Sequence, residues 1–273
     1  MKIRFLLCLL LLCSTVPAQK LDKSRTKKIV RQRVVELNLT YPALLLKPRG
    51  TPRGLIIFNH AATQNERQII DLPQFDLLAR TLNAAGYMLA ASSHGDPTAG
   101  FNWGNRRALD ANEELYRYIV AHYQVDVERV GMIGNSMGGL ITLTAIPEGR
   151  IPVRCAALYY PVTALGAVYA YSLGVAAAVN FAYGIWHASE YAERTRGHDP
   201  MLRPASDWKG AGLRVYGGPG DRIVPWWMNA EAFVNHVKGE AKEVEIVPLE
   251  GNHNENVETT GHDLVQFFDR CFG

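Results

Sequence analysis

The sequence lacks the features of several protein classes. Its 29 basic and 26 acidic side chains leave a formal net charge of only +3, which argues against a nucleic-acid partner. Its four cysteines and eight histidines are not clustered at zinc-ligand spacing, so we expect no metal site. No internal repeat or low-complexity tract appears. A chain of 273 residues with 48% hydrophobic side chains is instead typical of an ordinary globular protein with a substantial core.

The apolar run near the start, at residues 5–13, is too short to span a bilayer. It follows Lys2 and Arg4 and precedes a small-residue cleavage site after Ala18, which is the pattern of a secretory signal peptide. We therefore expect residues 1–18 to be removed, leaving a secreted or periplasmic protein with no stable membrane span. Removal takes away two basic residues and no acidic one, so the net charge falls by two, from +3 to +1.

Two of the four cysteines belong to the predicted signal peptide, which leaves Cys155 and Cys271. Export would permit a disulfide between them. Because Cys155 lies in an apolar run typical of a strand, a buried free thiol is an equal alternative. The sequence leaves both open.

Strand and helix patterns alternate along the rest of the chain. The run GLIIFNH at 54–60 is typical of a strand buried on both faces, and NRRALDANEELYRYIVAHY at 105–123 has helical spacing. Similar spacing predicts one helix over 68–85. This alternation predicts an α/β fold with a mostly parallel central sheet and helices on both faces. The first two strands, joined by a tight turn, are expected to form an antiparallel edge.

One serine stands between two glycines directly after an apolar strand pattern, in RVGMIGNSMGGL. The sequence GNSMG around Ser136 fits G-x-S-x-G, the nucleophile elbow of a strand–turn–helix unit. The flanking glycines remove Cβ atoms that would clash where the chain doubles back. Ser136 is therefore a candidate nucleophile, which needs a histidine base and a carboxylate that orients the base.

Candidates for both partners follow later in the chain, each in a loop after an apolar strand pattern. Asp221 lies in GGPGDRIVP and His253 lies in EGNHNEN. Such loops meet at the carboxyl edge of an open α/β sheet, where ligands bind. The other histidines lie in helical runs, in an insertion or before the serine. We predict a catalytic triad of Ser136, Asp221 and His253.

The motifs GNSMGG, GGPGDRIVP and EGNHNEN resemble those of the alpha/beta-hydrolase superfamily, most of all its dienelactone-hydrolase and esterase-like branch. The resemblance covers nearly everything after residue 30 and implies the alpha/beta-hydrolase fold. It also implies an oxyanion hole formed by the backbone N–H of Met137 and an N–H of the loop after the third strand. Family members usually have His-Gly in that loop. This sequence has FNHAATQ, so the second donor is expected to be Ala62, or Ala61 if the loop path differs.

The segment 161–212 is far longer than the usual connection between a strand and the next element. Within it, residues 162–189 hold no charged side chain. We interpret it as an apolar helical insertion before the acid-bearing strand, either a buried hairpin packed on the sheet or a lid that forms an acyl pocket. A membrane span is discounted because the segment interrupts a soluble fold. Four residues are candidate pocket lining: His60, Trp103, Trp226 and Trp227.

These features predict that residues 19–273 form one catalytic domain, a secreted serine hydrolase that cleaves carboxylic esters through an acyl-enzyme. An apolar lid favours a small-molecule or lipid-like ester with a hydrophobic acyl or aryl group. The chemistry needs no metal or organic cofactor. Two alternatives remain: a serine peptidase of the prolyl-oligopeptidase kind, since the same triad cleaves amides, and a catalytically inactive binding module. The oligomeric state is not predicted.

Overall fold

The computed structural model describes residues 33–95 and 101–273, and the predicted signal peptide lies outside them. The described residues form an eight-stranded sheet with the strand order β1-β2-β4-β3-β5-β6-β7-β8. The strands are β1 (Arg33–Asn38), β2 (Pro42–Lys47), β3 (Leu55–Asn59), β4 (Met88–Ser92), β5 (Val130–Asn135), β6 (Val153–Tyr159), β7 (Gly212–Gly217) and β8 (Glu243–Pro248).

The sheet is parallel from β4 across to β8, while β1 and β2 form an antiparallel edge. The predicted mostly parallel sheet with an antiparallel edge is therefore confirmed. Every residue of β3, β4 and β5 is buried, as expected for strands covered on both faces.

Helices of the described part cover the two faces of the sheet. They are α1 (Gln68–Asp71), α2 (Pro73–Ala84), α3 (Arg106–His122), α4 (Met137–Glu148), α5 (Leu165–Tyr171), α6 (Leu173–Tyr183), α7 (Tyr191–Arg194), α8 (Ala230–Val237) and α9 (Gly261–Phe272). Successive side chains of a strand point to opposite faces. Leu55 and Ile57 of β3 accordingly join the core under α3 and α4, and Ile56 and Phe58 join the core under α2 and α9.

The prediction of one helix over 68–85 is wrong, because the chain forms two helices separated by Leu72. Leu72 is extended, with φ −89° and ψ 121°. The ring of Pro73 disfavours the helical conformation in the residue before it, whereas a proline is tolerated at the first position of α2. The break makes α1 a separate short element that carries Gln68 beside the loop after β3.

The structure contains a disulfide between Cys155 of β6 and Cys271 of α9. Their Cα atoms lie 6.3 Å apart, and 116 residues separate them along the chain. The free-thiol alternative is therefore replaced by a cross-link that joins the last helix to the middle of the sheet.

The insertion between β6 and β7 forms α5, α6, α7 and short 3₁₀ turns. The alternative of a buried hairpin is wrong for α6, of which only Val179 is buried. Leu173 and Phe181 are 91% and 76% exposed. Within the described ranges, no helix is long and apolar enough to cross a membrane.

Candidate active site

Ser136 lies in a sharp turn between β5 and α4. Its φ of 53° and ψ of −116° fall outside the regions that residues with a side chain usually adopt. Such a conformation persists only where the surroundings impose it. Here the Ser136 N–H donates to the Tyr159 carbonyl at 2.8 Å, and the Ser136 carbonyl accepts from the Val162 N–H at 3.0 Å. The end of β6 therefore holds the turn in place.

Two glycines give this turn the space that it needs. A Cβ atom on Gly138 would clash with the backbone of Asn59 at the end of β3. A Cβ atom on Gly134 would lie 2.5 Å from the Gly138 carbonyl oxygen and 2.6 Å from Thr142 Oγ1. Side chains at either position would push α4 away from the strands, so the glycines of G-x-S-x-G are required by close backbone packing.

The loops after β7 and β8 bring a carboxylate and an imidazole to the serine. His253 Nε2 lies 3.0 Å from Ser136 Oγ, and His253 Nδ1 lies 2.7 Å from Asp221 Oδ2. The other oxygen, Asp221 Oδ1, accepts from the N–H groups of Ile223 and Val224, both at 2.9 Å. Because a carboxylate only accepts hydrogen bonds, His253 Nδ1 carries a proton, and Nε2 is the ring nitrogen that faces the serine hydroxyl.

The three side chains are nearly removed from solvent. The His253 and Asp221 side chains are only 8% and 2% exposed, and Ser136 is buried. Tyr160 packs edge-on against the His253 ring at 5.4 Å between centroids and donates its hydroxyl to the Glu255 carbonyl at 2.6 Å. Burial raises the pKa of Tyr160 to about 12, so this wall stays uncharged. Hydrogen bonds between the three side chains are stronger in such surroundings than in water.

Two backbone N–H groups, one on the residue after the serine and one in the loop after β3, have no hydrogen-bond partner among the described residues. The Met137 N–H begins α4, where the first N–H groups have no partner within the helix. The Ala61 N–H is engaged, since it donates to Gln68 Oε1 at 2.7 Å. No hydrogen bond between described residues uses the Ala62 N–H. Of the two alternatives in this loop, Ala62 is therefore the one left available.

Two of the candidate pocket residues lie beside this part of the site. His60, at the end of β3, is buried and stacks on His94 with ring centroids 4.2 Å apart. Burial, with a smaller contribution from His60, holds the pKa of His94 well below its usual value of 6.5. The Trp103 N–H contacts Met137 Sδ at 3.3 Å, which puts the Trp103 backbone against the residue after the serine.

The other two candidates lie near the loop after β7. Trp226 packs against Gly217 at the end of that strand, where an added Cβ atom would lie 3.1 Å from its ring. Trp227 is 65% exposed. Its side chain is largely exposed to solvent, so it can line a pocket less than Trp226 can.

Three amide side chains around the triad belong to no motif that would have singled them out. Gln68 Nε2 donates to Asn135 Oδ1 at 2.8 Å, and Asn135 Nδ2 donates to Asn254 Oδ1 at 2.5 Å. Asparagine directly before the serine and directly after the histidine was a visible signal, but an amide in a loop is usually a turn residue. No group of three or more potential metal ligands occurs among the described residues.

Solved structures share this architecture. A puromycin-hydrolyzing peptidase from Mycobacterium tuberculosis matches with a TM-score of 0.71 and 17% identity over 89% of this chain and 40% of that one. An S-formylglutathione hydrolase from Agrobacterium tumefaciens matches at 0.70 and 13%, over 88% of this chain and 95% of that one. An esterase from Pyrococcus furiosus matches at 0.65 and 15%, over 89% and 93%. The chain has the alpha/beta-hydrolase fold.

The likeness to these alpha/beta-hydrolases is one of fold. No protein-family model matches the sequence, and no curated protein does. The chain spans about two fifths of the length of the peptidase. In alpha/beta-hydrolases the nucleophile follows a central strand and the acid and histidine follow later strands. Ser136, Asp221 and His253 occupy the ends of β5, β7 and β8 in that order.

Proposed function

We propose that the protein is a serine hydrolase that cleaves carboxylic esters through Ser136, His253 and Asp221. The observation that carries the proposal is the unbroken hydrogen-bonded series from Asp221 through His253 to the serine hydroxyl. The strained backbone of the elbow and the free N–H groups of Met137 and Ala62 support the same reaction. An inactive binding module would have no need of this arrangement.

The reaction follows from the geometry. Ser136 Oγ attacks the ester carbonyl carbon while His253 Nε2 takes its proton, and Asp221 stabilises the resulting imidazolium. The oxyanion of the tetrahedral intermediate binds the N–H groups of Met137 and Ala62. As the intermediate collapses, the bond to the alcohol oxygen breaks and His253 returns the proton to that oxygen. Water, deprotonated by the same imidazole, then attacks the acyl-enzyme and releases the acid.

The insertion is proposed to shape the acyl side of the pocket. Tyr183 at the end of α6 donates its hydroxyl to the Trp103 carbonyl at 2.8 Å, and the Trp103 N–H in turn contacts Met137. The insertion is thereby connected to the residue after the nucleophile through a single tryptophan. Its lack of charge over 162–189 favours a hydrophobic acyl or aryl group, in a small-molecule or lipid-like ester.

Cleavage of amides is the second candidate. It is favoured by the likeness to the puromycin-hydrolyzing peptidase, which covers 89% of this chain. The same triad serves either bond, because the oxyanion and the general acid are common to ester and amide hydrolysis. Prolyl-oligopeptidase-like activity is therefore an arm of the first experiment.

Export is also part of the proposal. The N-terminal pattern of residues 1–18 is that of a signal peptide, and the bond between Cys155 and Cys271 suits an oxidising compartment such as the periplasm or the cell exterior.

The test compares the protein beginning at Gln19 with its Ser136→Ala variant on p-nitrophenyl esters from acetate to palmitate and on an aminoacyl p-nitroanilide. We expect serine-dependent ester cleavage, with Asp221→Asn lowering kcat about 10⁴-fold because the amide imposes the wrong imidazole tautomer. Ser206→Ala, at an exposed serine, is the matched control and should stay within twofold. Cleavage of the anilide alone would select the peptidase. Equal rates for the protein and Ser136→Ala would refute the assignment of the nucleophile.

A further inference from the structure

A buried series of amide hydrogen bonds connects the oxyanion loop to the loop that carries the histidine. It begins at the Ala61 N–H, which donates to Gln68 Oε1 at 2.7 Å. Gln68 Nε2 donates to Asn135 Oδ1 at 2.8 Å, and Asn135 Nδ2 donates to Asn254 Oδ1 at 2.5 Å. We name this set of residues, Ala61, Gln68, Asn135 and Asn254, the amide relay.

The direction of every bond in the amide relay is fixed by backbone groups. The Ala61 N–H can only donate, so the oxygen of Gln68 must face it and the nitrogen must face Asn135. Asn135 Nδ2 also donates to the Tyr159 carbonyl at 3.3 Å, and a carbonyl can only accept. Both amide orientations therefore agree with donors and acceptors of unambiguous polarity.

Three members of the amide relay are sequence neighbours of residues in the proposed reaction. Ala61 precedes Ala62, whose N–H is the second oxyanion donor. Asn135 precedes Ser136, and Asn254 follows His253. Gln68, in α1, contributes nothing to the reaction directly, but its side chain joins the loop after β3 to Asn135 at the end of β5.

We propose that Gln68 is a positioning residue for the oxyanion hole, and that the amide relay couples this hole to the histidine loop. The proposal rests on the proposed function and deepens it. By engaging the Ala61 N–H, Gln68 fixes the peptide plane between His60 and Ala61, directly before the plane that carries the Ala62 N–H. The Ala61 carbonyl in that second plane accepts from the Gln64 N–H at 3.2 Å, so the loop is held on both sides of Ala61. Through Asn135 the same side chain restrains Asn254, and therefore the neighbouring His253.

Burial explains why one amide can have this influence. Gln68 is 2% exposed and Asn135 is 0% exposed, so neither can exchange a lost partner for water. Loss of the Gln68 amide leaves the Ala61 N–H and Asn135 Oδ1 without these hydrogen bonds, and the loop after β3 must move to satisfy them. Alanine at position 61, where such loops usually have glycine, does not by itself select a backbone path. A side chain from α1 supplies that selection.

The first variant is Gln68→Met, which keeps the length of the side chain and removes both hydrogen bonds. The readout is the Ki of an alkyl trifluoromethyl ketone, which forms a tetrahedral adduct with a serine. This Ki does not depend on the fraction of enzyme that is active. We expect Ki to rise roughly 10–100-fold, less than the 10²–10³-fold known for complete loss of an oxyanion donor. kcat/KM should fall by the same factor, and KM should stay within about threefold, because the oxyanion exists only in the transition state.

The second variant is Asn254→Gly, which removes the last acceptor of the amide relay. Asn254 has φ of 65°, a conformation that glycine adopts freely, so the loop can keep its path. We expect a smaller rise in Ki, about 3–10-fold. In the double variant the rise should be clearly less than the product of the two single rises, since residues in one hydrogen-bond network are not independent. Residues 68 and 254 share no hydrogen bond, so such coupling requires Asn135 between them.

Asn83→Leu is the control for loss of a partly buried amide with two hydrogen bonds. Asn83 Nδ2 donates to the carbonyls of Leu46 and Tyr87, at the opposite edge of the sheet, at 3.2 Å each. It should lower stability and leave Ki unchanged. A rise in Ki for Asn83→Leu equal to that for Gln68→Met would overturn the proposal, because any loss of packing would then suffice.

The remaining outcomes are distinct. A protein that neither hydrolyses esters or amides nor binds the ketone refutes the proposed function, and the amide relay with it. An active protein whose Ki is unchanged by Gln68→Met refutes the amide relay alone. If Gln68→Met does not fold, an unchanged Ki in Asn254→Gly has the same meaning. Strictly multiplicative effects in the double variant refute the coupling.

Discussion

At the scale of single residues, His94 is an unusual group to find buried beside the candidate active site. It is fully buried, and neither ring nitrogen has a hydrogen-bond partner among the described residues. Burial and His60 hold its pKa well below 6.5. Because the unfolded chain binds this proton at higher pH than the folded one, the contribution of His94 to the free energy of unfolding is largest above pH 6.5 and falls as the pH drops below it.

This linkage predicts a specific effect of His94→Asn. Asparagine tolerates the φ of 55° at this position and does not titrate. The variant is expected to be less stable at pH 7.5, since it leaves a cavity. The difference from the wild type should shrink as the pH is lowered from 7.5 through 6.5 to 5.5, because only the wild type loses stability by this linkage. Urea unfolding at the two pH values measures it. A difference that does not change with pH would mean that the imidazole is protonated in the folded protein as readily as in the unfolded one.

Local sterics explain which site residues were recognisable from the sequence. The turn at Ser136 needs glycines on both sides, so it leaves a five-residue pattern. Asp221 and His253 follow strands in loops rich in glycine, proline and asparagine. Gln68 had no such pattern, because its two hydrogen bonds join residues that only the packing of α1 brings together. The choice between the N–H groups of Ala61 and Ala62 as the second oxyanion donor was not predictable for the same reason.

At the scale of elements, proline gave a readable signal and the insertion did not. Pro73 ends α1 at Leu72, and the rule for a residue before proline would have predicted that break. The uncharged segment 162–189 fits a buried hairpin and an exposed lid equally well by composition. Contacts with the rest of the fold decide between them, and these leave Val179 as the one buried residue of α6.

The attachment of the insertion gives the prediction at this scale. Tyr183 donates to the Trp103 carbonyl, and its hydroxyl oxygen accepts from His198 Nδ1 at 3.0 Å. Tyr183→Phe removes both hydrogen bonds and keeps the ring. We expect the acyl-length optimum on p-nitrophenyl esters to broaden or shift, with kcat on the acetate within twofold, because the triad is untouched. Tyr171→Phe, at a tyrosine that is 58% exposed, is the control. An unchanged preference for acyl length in Tyr183→Phe would mean that the hydrogen bond between Tyr183 and Trp103 does not shape the acyl pocket.

At the scale of the whole molecule, the mostly parallel sheet followed from the alternation of patterns, but the cross-link did not. Alternating strands and helices leave few arrangements for a parallel sheet with right-handed crossovers. No comparable rule predicts that two cysteines 116 residues apart are bonded, since a free cysteine is also commonly buried in a strand. Only the docking of α9 beside β6 brings the two sulfur atoms together.

The disulfide is expected to be a large part of the stability of the fold. Closing a loop of about 100 residues in the unfolded chain contributes about 4.7 kcal/mol in the chain-entropy model, within the usual 2–5 kcal/mol for a native disulfide. The double variant Cys155→Ala/Cys271→Ala should therefore unfold at clearly lower urea concentration, with the free energy of unfolding reduced by about 2–5 kcal/mol. Reductant should destabilise the wild type by a similar amount and leave the double variant unaffected, which separates the cross-link from the loss of side-chain volume.

Because the triad lies at the ends of β5, β7 and β8, kcat of the folded double variant should stay within about twofold at 25 °C. If reductant had no effect on the wild type, α9 would be held by its packing alone, through Phe267 and Phe268, and the cross-link would contribute nothing to the fold.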